Sequence, residues 1–520
     1  LFSPLKNITM RKLVFIIILP LSLAVNAQKK ANPSSYAKTI TANDLKKHLY
    51  TIAGPEMEGR GTPSAGLDRA ADYIESHFKS LGLLPGNKDS YRQVFPLYKD
   101  SMTSSGLTIN GTAFELNKDY QPSTIYNYSA EMRFSEAVFA GYGLVDGEID
   151  DYKDLDVTGK LIIILDGAPS GYKPSSTGFR SPASWFSKYN VAQKKGAAAV
   201  LLIATGFPRK TPPATGQYSM NSYRKMQYPL LFTASADVAE KIMGEDGKGL
   251  IDKMKSSSIA KKTYATEAEL SYAKSTSVAH ASNVIGVLEG TDLKDEYVFV
   301  TAHYDHLGKR DTVIYYGADD DGSGTVSVLE MAEAFAKAKA AGKGPRRTMV
   351  FMTVSGEEKG LWGSEYYTDH PIFPLDKTTV DLNIDMVGRS DASRKLGDST
   401  NYVYVVGDDK ISSDLKVISE AVNKKYLKME LDYKFNDPKD PERIYFRSDH
   451  YNFAKHGVPI IFYYDGMLGA DYHKPTDTPD KINYTLMAKR AQLIFYTAWE
   501  MANKNEMLKR DIPLEAPKGF

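Results

Sequence analysis

The chain has 520 residues, of which 42% are hydrophobic and 25% are charged, a composition typical of folded globular proteins. This length exceeds one ordinary domain, so we predict two domains. The 65 basic residues nearly balance the 64 acidic ones, which gives no basis for expecting nucleic acid or an anionic membrane surface as a partner. The absence of cysteine excludes a disulfide framework.

Residues 1–27 are typical of a secretory signal peptide, with translation starting at Met10. Two basic residues after Met10 precede an apolar run at 13–24, and small residues lead to a cleavage point after Ala27. A permanent membrane anchor is the alternative, but the apolar run is too short for a comfortable span and polar residues follow it. We therefore predict a secreted or periplasmic protein, without stable membrane insertion once the signal has been removed.

Two helical patterns follow the signal. The first begins after the capping residue Thr41 and runs to about Ile52. In the second, apolar residues repeat at helical spacing from Leu67 to Phe78, which indicates a helix packed on a core.

From about Phe134 the pattern of apolar and polar residues along the chain changes. Short apolar strands are predicted at residues 161–165 and 197–203, separated by long polar loops. This stretch has no clustered set of possible metal ligands, so we predict a small, mostly β module inserted into the larger domain. The alternative is that its strands form part of one continuous sheet.

Beyond Ser282 longer strands alternate with helices, the pattern of an α/β fold with a mixed central sheet flanked by helices. The predicted strands cover residues 297–302, 348–354, 380–386 and 459–464. A helix is predicted at residues 325–340, and a long amphipathic helix at 483–503 closes the chain. In open α/β sheets functional groups gather beyond the carboxyl ends of the strands, so we expect the residues that follow these strands to meet.

Acidic and imidazole side chains follow these strands closely. His303 has Asp305 two residues further on, and a metal-bound imidazole usually donates its second N–H to a carboxylate. The three adjacent carboxylates of residues 319–321 repel one another unless a cation or a helix N-terminus offsets their charge. An acidic helix cap would account for one of them, but poorly for all three. In the pair Glu357–Glu358, one carboxylate can bind a metal while its neighbour handles protons.

Six motifs in this region carry a resemblance to a known family. In chain order they are AHYDHLG at 302–308, GADDDGSG at 317–324, SGEEKG at 355–360, LNIDMVG at 382–388, RSDH at 447–450 and YH at 472–473. The sequence resembles the M28 family of zinc metallopeptidases, in which these motifs occur in the same order. The GRGT loop at 59–62 and the helix after it also look like the N-terminal portion of that family.

The resemblance implies a site with two zinc ions and assigns each ligand by its motif. His303 and Asp385 would hold one ion, Glu358 and His473 would hold the other, and Asp320 would bridge the two. These ligand types suit zinc. In such a site the two ions act together on one substrate and one water molecule.

The resemblance also implies the catalytic groups. Glu357 would take a proton from the attacking water and pass it to the leaving amine, and Tyr472 would donate a hydrogen bond to the oxyanion. We expect Asp449 and His450 to be structural, and Arg447 to meet a carbonyl or a carboxylate of the substrate.

The domain organisation follows from the same resemblance. Residues 28–130 would form the N-terminal part of the peptidase domain, residues 131–272 an inserted domain like the protease-associated domain, and residues 273–520 the catalytic domain. The function implied is that of an exported metallo-aminopeptidase, which releases N-terminal residues from peptide substrates.

Three other functions stay open at this stage. A carboxypeptidase or dipeptidase on the same scaffold would be marked by a basic pocket for a terminal carboxylate. A non-catalytic, receptor-like homologue would have no need of Glu357 beside a complete ligand set. A glutaminyl-cyclase-like transferase works with a single zinc, which the five implied ligands disfavour.

Overall fold

A computed structural model describes residues 32–178, 181–210, 215–220, 228–256, 259–395 and 397–514. The predicted signal peptide, residues 1–27, lies outside the described residues. No helix of the described ranges has an apolar stretch as long as a bilayer crossing requires.

The described residues form eleven α-helices. They are α1 (Ser34–Ala37), α2 (Ala42–Ile52), α3 (Ala65–Ser80), α4 (Trp185–Lys194), α5 (Ala236–Met243), α6 (Leu250–Ser256), α7 (Gly324–Ala340), α8 (Trp362–Asp369), α9 (Leu415–Tyr426), α10 (His450–Lys455) and α11 (Tyr484–Asn503). The predicted helix starts coincide with side-chain caps, since Thr41 accepts a hydrogen bond from Asp44 N–H and Asn483 accepts one from Leu486 N–H.

The same residues form twenty β-strands. They are β1 (Leu84–Pro85), β2 (Arg92–Ile109), β3 (Thr112–Ala113), β4 (Tyr120–Pro122), β5 (Ala130–Phe139), β6 (Val145–Asp146), β7 (Ile149–Asp150), β8 (Leu161–Leu165), β9 (Ala199–Ile203), β10 (Thr215–Ser219), β11 (Leu230–Ala234), β12 (Lys262–Leu288), β13 (Leu293–His303), β14 (Gly308–Arg310), β15 (Val313–Tyr315), β16 (Arg347–Val354), β17 (Thr378–Ile384), β18 (Tyr402–Val406), β19 (Glu430–Asp432) and β20 (Ile460–Tyr464).

Sixteen of these strands join in one mixed sheet, in the order β19-β18-β20-β17-β13-β16-β12-β5-β8-β9-β11-β4, with β1, β2, β3 and β10 attached beside this path. Strands β20, β17, β13 and β16 run parallel to one another, so their carboxyl ends lie at one edge. The predicted mixed sheet flanked by helices is confirmed.

Helices cover both faces of these parallel strands, which explains their continuous apolar sequences. Along β13, Val298 and Val300 pack on the side of α7 and α11, whereas Phe299 packs on the opposite side with Phe453 of α10. Successive side chains of a strand point to opposite faces, so a strand that is buried on both sides needs an apolar residue at each position.

The predicted insertion packs in two apolar clusters, one of which also includes Leu107, Ile109 and Tyr120 from before residue 131. Strands β5, β8, β9 and β11 run side by side, and Ile163 of β8 belongs to a different cluster from its neighbour Ile162. These strands join the main sheet through β12, which pairs with β5 at residues 262–272 and with β16 at residues 284–288. The boundaries 28–130, 131–272 and 273–520 stay a prediction.

Two long strands were missed by the sequence analysis. Residues of β2 from Arg92 to Ile109 pair antiparallel with residues of β12 from Ala268 to Val284. Much of this ribbon is exposed and rich in Ser, Thr and Lys, so it lacks the apolar pattern that marks a buried strand.

One buried arginine ties the N-terminal segment to the edge where the parallel strands end. The guanidinium of Arg60 donates to the carbonyl oxygens of Ile52 (2.8 Å), Tyr304 (2.6 Å), Tyr316 (2.8 Å) and Gly317 (2.7 Å). Burial lowers the pKa of Arg60 to about 10, against nearby carboxylates that raise it, so the side chain stays charged at neutral pH. Arg60 therefore holds together the two loops that follow His303 and precede Ala318.

Replacing Arg60 with Met should lower the free energy of unfolding by about 3 kcal/mol, because several buried carbonyl groups lose their donor. Urea denaturation of the metal-free protein measures this loss. Arg133→Met is the matched control: its ion pairs with Glu131 and Glu269 are exposed, and its cost should stay below about 0.5 kcal/mol. Equal losses in the two variants would contradict the structural role of Arg60.

Candidate metal centre

The carboxyl ends of the parallel strands bring the predicted ligands together. His303 is the last residue of β13, Asp385 follows the last residue of β17, and Glu358 lies four positions after the end of β16. His473 comes from the loop that follows β20. The residues therefore meet because their strands are parallel neighbours, as the sequence analysis expected.

The first group of side chains surrounds His303. Its Nε2 lies 3.3 Å from Oδ1 of Asp320 and 3.6 Å from Oδ1 of Asp385. Oε2 of Glu357 lies 3.9 Å from the same nitrogen. Burial opposes the charged imidazole, yet Asp385 and Glu357 raise the pKa of His303 well above its ordinary value.

The second group surrounds His473. Its Nε2 lies 3.2 Å from Oδ2 of Asp320 and 3.1 Å from Oε2 of Glu358. Burial lowers the pKa of His473, but hydrogen bonds with these two carboxylates outweigh it and raise the pKa to about 10. Asp320 therefore turns one oxygen towards each group, the arrangement expected of a residue shared by two cations.

The donor set fits zinc. Two imidazoles and three carboxylates are the ligand types that Zn²⁺ prefers. The buried Nε2 of His303 and Oδ2 of Asp320 have no hydrogen-bond partner of good geometry among the described residues, and unpaired buried polar atoms are costly unless something else engages them. His303, Asp320, Glu358, Asp385 and His473 are thus the residues that could hold two ions.

Asp305 orients the first group. Nδ1 of His303 lies 3.1 Å from the main-chain oxygen of Asp305 and 3.6 Å from its carboxylate. The carboxylate instead accepts hydrogen bonds from the Thr62 hydroxyl (3.0 Å) and the Glu357 N–H (3.2 Å). Asp305 is therefore the expected partner of the imidazole, but mainly through its backbone.

The three aspartates 319–321 have different partners. Of the three, only Asp320 lies close to both His303 and His473. Asp321 accepts hydrogen bonds from the N–H groups of His303 (3.2 Å), Gly324 (2.8 Å) and Met386 (3.0 Å), so it joins two strand ends to the start of α7. Asp319 accepts from Gly388 N–H (2.8 Å).

Asp477 stabilises the turn Ala318–Ser323, which carries these three aspartates. Its carboxylate accepts the N–H groups of Asp319 (3.0 Å) and Asp320 (3.1 Å), and it is fully buried. Sequence reasoning missed Asp477, although it lies four residues after His473. Hydrogen bonds to distant backbone groups leave no pattern in a sequence, so no signal could have found it.

A cleft opens beside the two groups. Its lining includes Asp320, Glu357 and Asp385, together with Tyr472 and Arg447. The ring of Tyr472 stacks on that of His473 at 3.8 Å, and Arg447 Nη2 donates to the Tyr472 hydroxyl at 3.2 Å. Burial raises the pKa of Tyr472 far above neutral, so the phenol keeps its proton.

Two further predictions concern the loop 447–450. Asp449 is fully buried and accepts a hydrogen bond from the Ser364 hydroxyl, and His450 Nε2 donates to the Tyr445 carbonyl at 2.7 Å. Neither residue belongs to the two clusters of possible ligand atoms that lie within 4.8 Å of one another, which are His303 with Asp321 and Asp385, and His306 with Asp320 and Glu358. His306, by contrast, lies against Glu358 and was not predicted as part of the centre.

The fold has been seen in a solved structure. An aminopeptidase from Aneurinibacillus sp. strain AM-1 superimposes with a TM-score of 0.53, over 93% of this chain and 99% of that chain, at 19% sequence identity. At this identity the likeness concerns the fold alone.

Sequence comparison finds relatives for the segment that builds the centre. Residues 283–498 match the description "Peptidase family M28". The probable leucine aminopeptidase of Trichophyton verrucosum is 31% identical over 214 residues, which are 40% of this chain and 55% of the relative. Aminopeptidase YwaD of Bacillus subtilis is 26% identical over 245 residues, which are 44% of this chain and 46% of the relative. The chain thus spans about half the length of the curated relatives it matches.

Asp477→Asn should destabilise the protein by about 1–3 kcal/mol, because an amide N–H₂ would replace an oxygen that accepts backbone N–H groups. The loss should appear in urea denaturation, together with weaker zinc binding, since the supported turn carries Asp320. Asp480→Asn, three residues away and exposed, is the matched control and should change neither quantity. If both variants bind zinc as the parent does, Asp477 does not organise the turn.

Proposed function

We propose that the protein is an exported metallo-aminopeptidase that removes N-terminal residues from peptides with the help of two zinc ions. The observation that carries the proposal is Asp320, whose two oxygens lie 3.3 Å and 3.2 Å from the imidazoles of separate groups, beside a cleft that contains Glu357. The match of residues 283–498 to peptidase family M28 supports a zinc peptidase on this scaffold.

The chain would divide the metal ligands between two positions. His303 and Asp385 would hold one ion, Glu358 and His473 the other, and Asp320 would contribute one oxygen to each. When bound, zinc supplies an acidified water molecule and polarises the peptide carbonyl.

Glu357 is the residue for proton transfer. Its carboxylate lies beside the first group without replacing any ligand, and its side chain is 13% exposed towards the cleft. Burial, with additions from Asp385 and Glu358, raises the pKa of Glu357 well above its ordinary value, which favours acceptance of a proton. Glu357 would take a proton from water and return it to the leaving amine.

Tyr472 would assist at the carbonyl oxygen. Because its hydroxyl oxygen accepts the Arg447 N–H, its own proton must point elsewhere, and the hydroxyl lines the cleft. A hydrogen bond placed where charge develops stabilises the transition state.

The cleft also indicates a side-chain preference. Besides the charged groups, its lining contains Met386, Ile444, Phe462 and Leu468. These apolar walls favour an N-terminal residue with an apolar side chain, since apolar surface is stabilised when it leaves water. The similarity to a probable leucine aminopeptidase agrees with this preference.

Two parts of the proposal rest on the sequence. Export is supported by the basic start, apolar run and small-residue exit of residues 10–27, and N-terminal sequencing of the secreted protein would test it. A protease-associated type of insertion at residues 131–272 is supported by two apolar clusters that are separate from those of the parallel strands, although Leu107, Ile109 and Tyr120 from before residue 131 belong to one of them.

One observation favours a second candidate, a carboxypeptidase or dipeptidase. Arg447 is a basic side chain in the cleft lining, and a guanidinium suits the terminal carboxylate of a short peptide. The ligand set and Glu357 would be unchanged in such an enzyme, so only substrate choice separates the two candidates.

A substrate panel tests the proposal. The same short peptide with an N-terminal leucine is offered free, N-acetylated and C-amidated, before and after chelation and with zinc restored. We expect cleavage of the free and amidated peptides alone, lost on chelation and recovered with zinc. Cleavage of the acetylated peptide, or loss on amidation, would favour the second candidate, and no cleavage of any peptide would refute both.

Glu357→Gln should retain both zinc ions and lower kcat by about 10²–10⁴-fold, because the amide cannot accept the proton. Steady-state kinetics and zinc analysis are measured on the same preparation. In the neighbouring variant Glu358→Gln, zinc content itself should fall. Near-normal turnover in Glu357→Gln would remove this residue from its role.

Asp320→Ala should weaken the binding of both zinc ions, because each would lose a ligand. His473→Ala should weaken the binding of only one. Zinc per protein after dialysis against a chelator at graded concentrations separates the two results. Two tightly held ions in Asp320→Ala would refute the shared carboxylate.

A further inference from the structure

His306 is a buried imidazole that the proposed mechanism does not use. It lies three residues beyond His303 and is fully buried. Its Nδ1 lies 2.7 Å from Oε1 of Glu358, and 3.8 Å from Oδ2 of Asp320. Neither ring nitrogen of His306, nor Oε1 of Glu358, has a hydrogen bond of good geometry within the described part of the chain.

The two oxygens of Glu358 thus meet different imidazoles. Oε1 faces His306 and Oε2 faces His473, at 3.1 Å. At 2.7 Å the two atoms lie within reach of each other, and a small rotation of the Glu358 side chain would let Nδ1–H of His306 donate to Oε1, because an ionised carboxylate only accepts. A carboxylate with one oxygen engaged in this way presents the other oxygen to a cation and cannot rotate freely.

The ring of His306 is itself held firmly. A Cβ added to Gly317 would lie 2.4 Å from Cγ of His306, so the glycine backbone packs directly on the ring. The N–H of His306 donates to the carbonyl oxygen of Arg60 at 3.2 Å, and the guanidinium of Arg60 in turn binds the carbonyl oxygen of Gly317. The surrounding backbone therefore fixes the imidazole beside Glu358.

We propose that His306 is a positioning residue for the second metal position: its Nδ1–H holds Oε1 of Glu358, so that Oε2 is directed to the ion shared with Asp320 and His473. This inference rests on the proposed two-zinc function. Groups that hydrogen-bond to metal ligands commonly change metal affinity by about 10–100-fold when they are removed.

The test compares His306→Asn with His306→Gln. The amide nitrogen of Asn occupies nearly the place of Nδ1, whereas that of Gln extends to the place of Nε2, so only Asn can donate to Oε1 of Glu358. Zinc affinities of both positions are measured by competition with a chelator. We expect His306→Gln to lower the affinity for one of the two zinc ions by about 10–100-fold. His306→Asn should retain most of the parent's affinity. The exposed His370→Gln serves as a control without effect.

Three results would overturn the proposal. Equal zinc affinities in His306→Gln and the parent protein would leave the hydrogen bond without effect on the metal. Equal losses in the Asn and Gln variants would assign the effect to packing rather than to the donor. A zinc-loaded crystal structure of the parent protein with a His306 nitrogen at about 2.0–2.1 Å from an ion would make His306 a ligand instead. That structure does not depend on the folding of any variant.

The failure of this proposal is separable from that of the proposed function. If the parent protein binds fewer than two zinc ions, the two-zinc function itself fails. If the parent binds two and the Gln variant binds both as tightly, only the positioning role of His306 fails.

Discussion

Negative charge at the carboxyl edge of the parallel strands is the constraint on which the rest of the site depends. Eight aspartates of this region are buried: Asp305, Asp319, Asp320, Asp321, Asp385, Asp449, Asp465 and Asp477. Glu357 and Glu358 lie among them. Burying an unpaired charge costs several kcal/mol, so each carboxylate needs a partner or must hold a proton. Burial raises the pKa of Asp319 and of Asp321 well above the ordinary value, because the charged form of a buried carboxylate is less stable than the protonated form.

Two kinds of group stabilise these buried carboxylates. Backbone N–H groups serve Asp321, Asp477 and Asp465, the last of which accepts from Arg389 N–H at 2.6 Å and Met467 N–H at 2.9 Å. Two buried arginines, Arg60 and Arg490, add positive charge while binding only carbonyl oxygens at close range. Within the described part of the chain, the carboxylates of Asp320, Glu357 and Asp385, which line the cleft, receive neither kind of partner. A bound cation would supply the partner that these groups lack.

How far the sequence predicted this depends on the kind of signal each residue leaves. His303, Asp385 and Glu358 stand at the ends of apolar strands, and a strand pattern fixes where its end must lie in a parallel sheet. Tyr472 and His473 were predicted through the family motif. Asp321, as a link between strand ends, was beyond reach because its partners are backbone groups. His306 did leave a signal, a second imidazole in the same strand-end motif, but nothing in the pattern says that it turns towards Glu358.

The two parts of the continuous sheet are joined by a ribbon of largely exposed residues. Strand β12 is buried where it pairs with β16, but residues 274–280 of the same strand pair only with β2 and are largely exposed. At this place β10 pairs with the other edge of β2, so three strands lie side by side. Because few of their side chains are buried, this connection has lower local stability than the two parts of the sheet that it joins.

One buried amide fixes the inner end of this connection to the rest of the sheet. At the inner end of the ribbon, Asn283 donates to the Gln93 side chain at 3.0 Å and to the Gly363 carbonyl at 2.8 Å. Gln93 in turn donates to the His370 carbonyl at 2.9 Å, so both strands of the ribbon are bonded to the two ends of α8. Because α8 directly follows the Glu357–Glu358 turn, these hydrogen bonds join the ribbon to the segment that carries two carboxylates of the site. The end of the ribbon and the position of this turn therefore depend on the same buried amide groups.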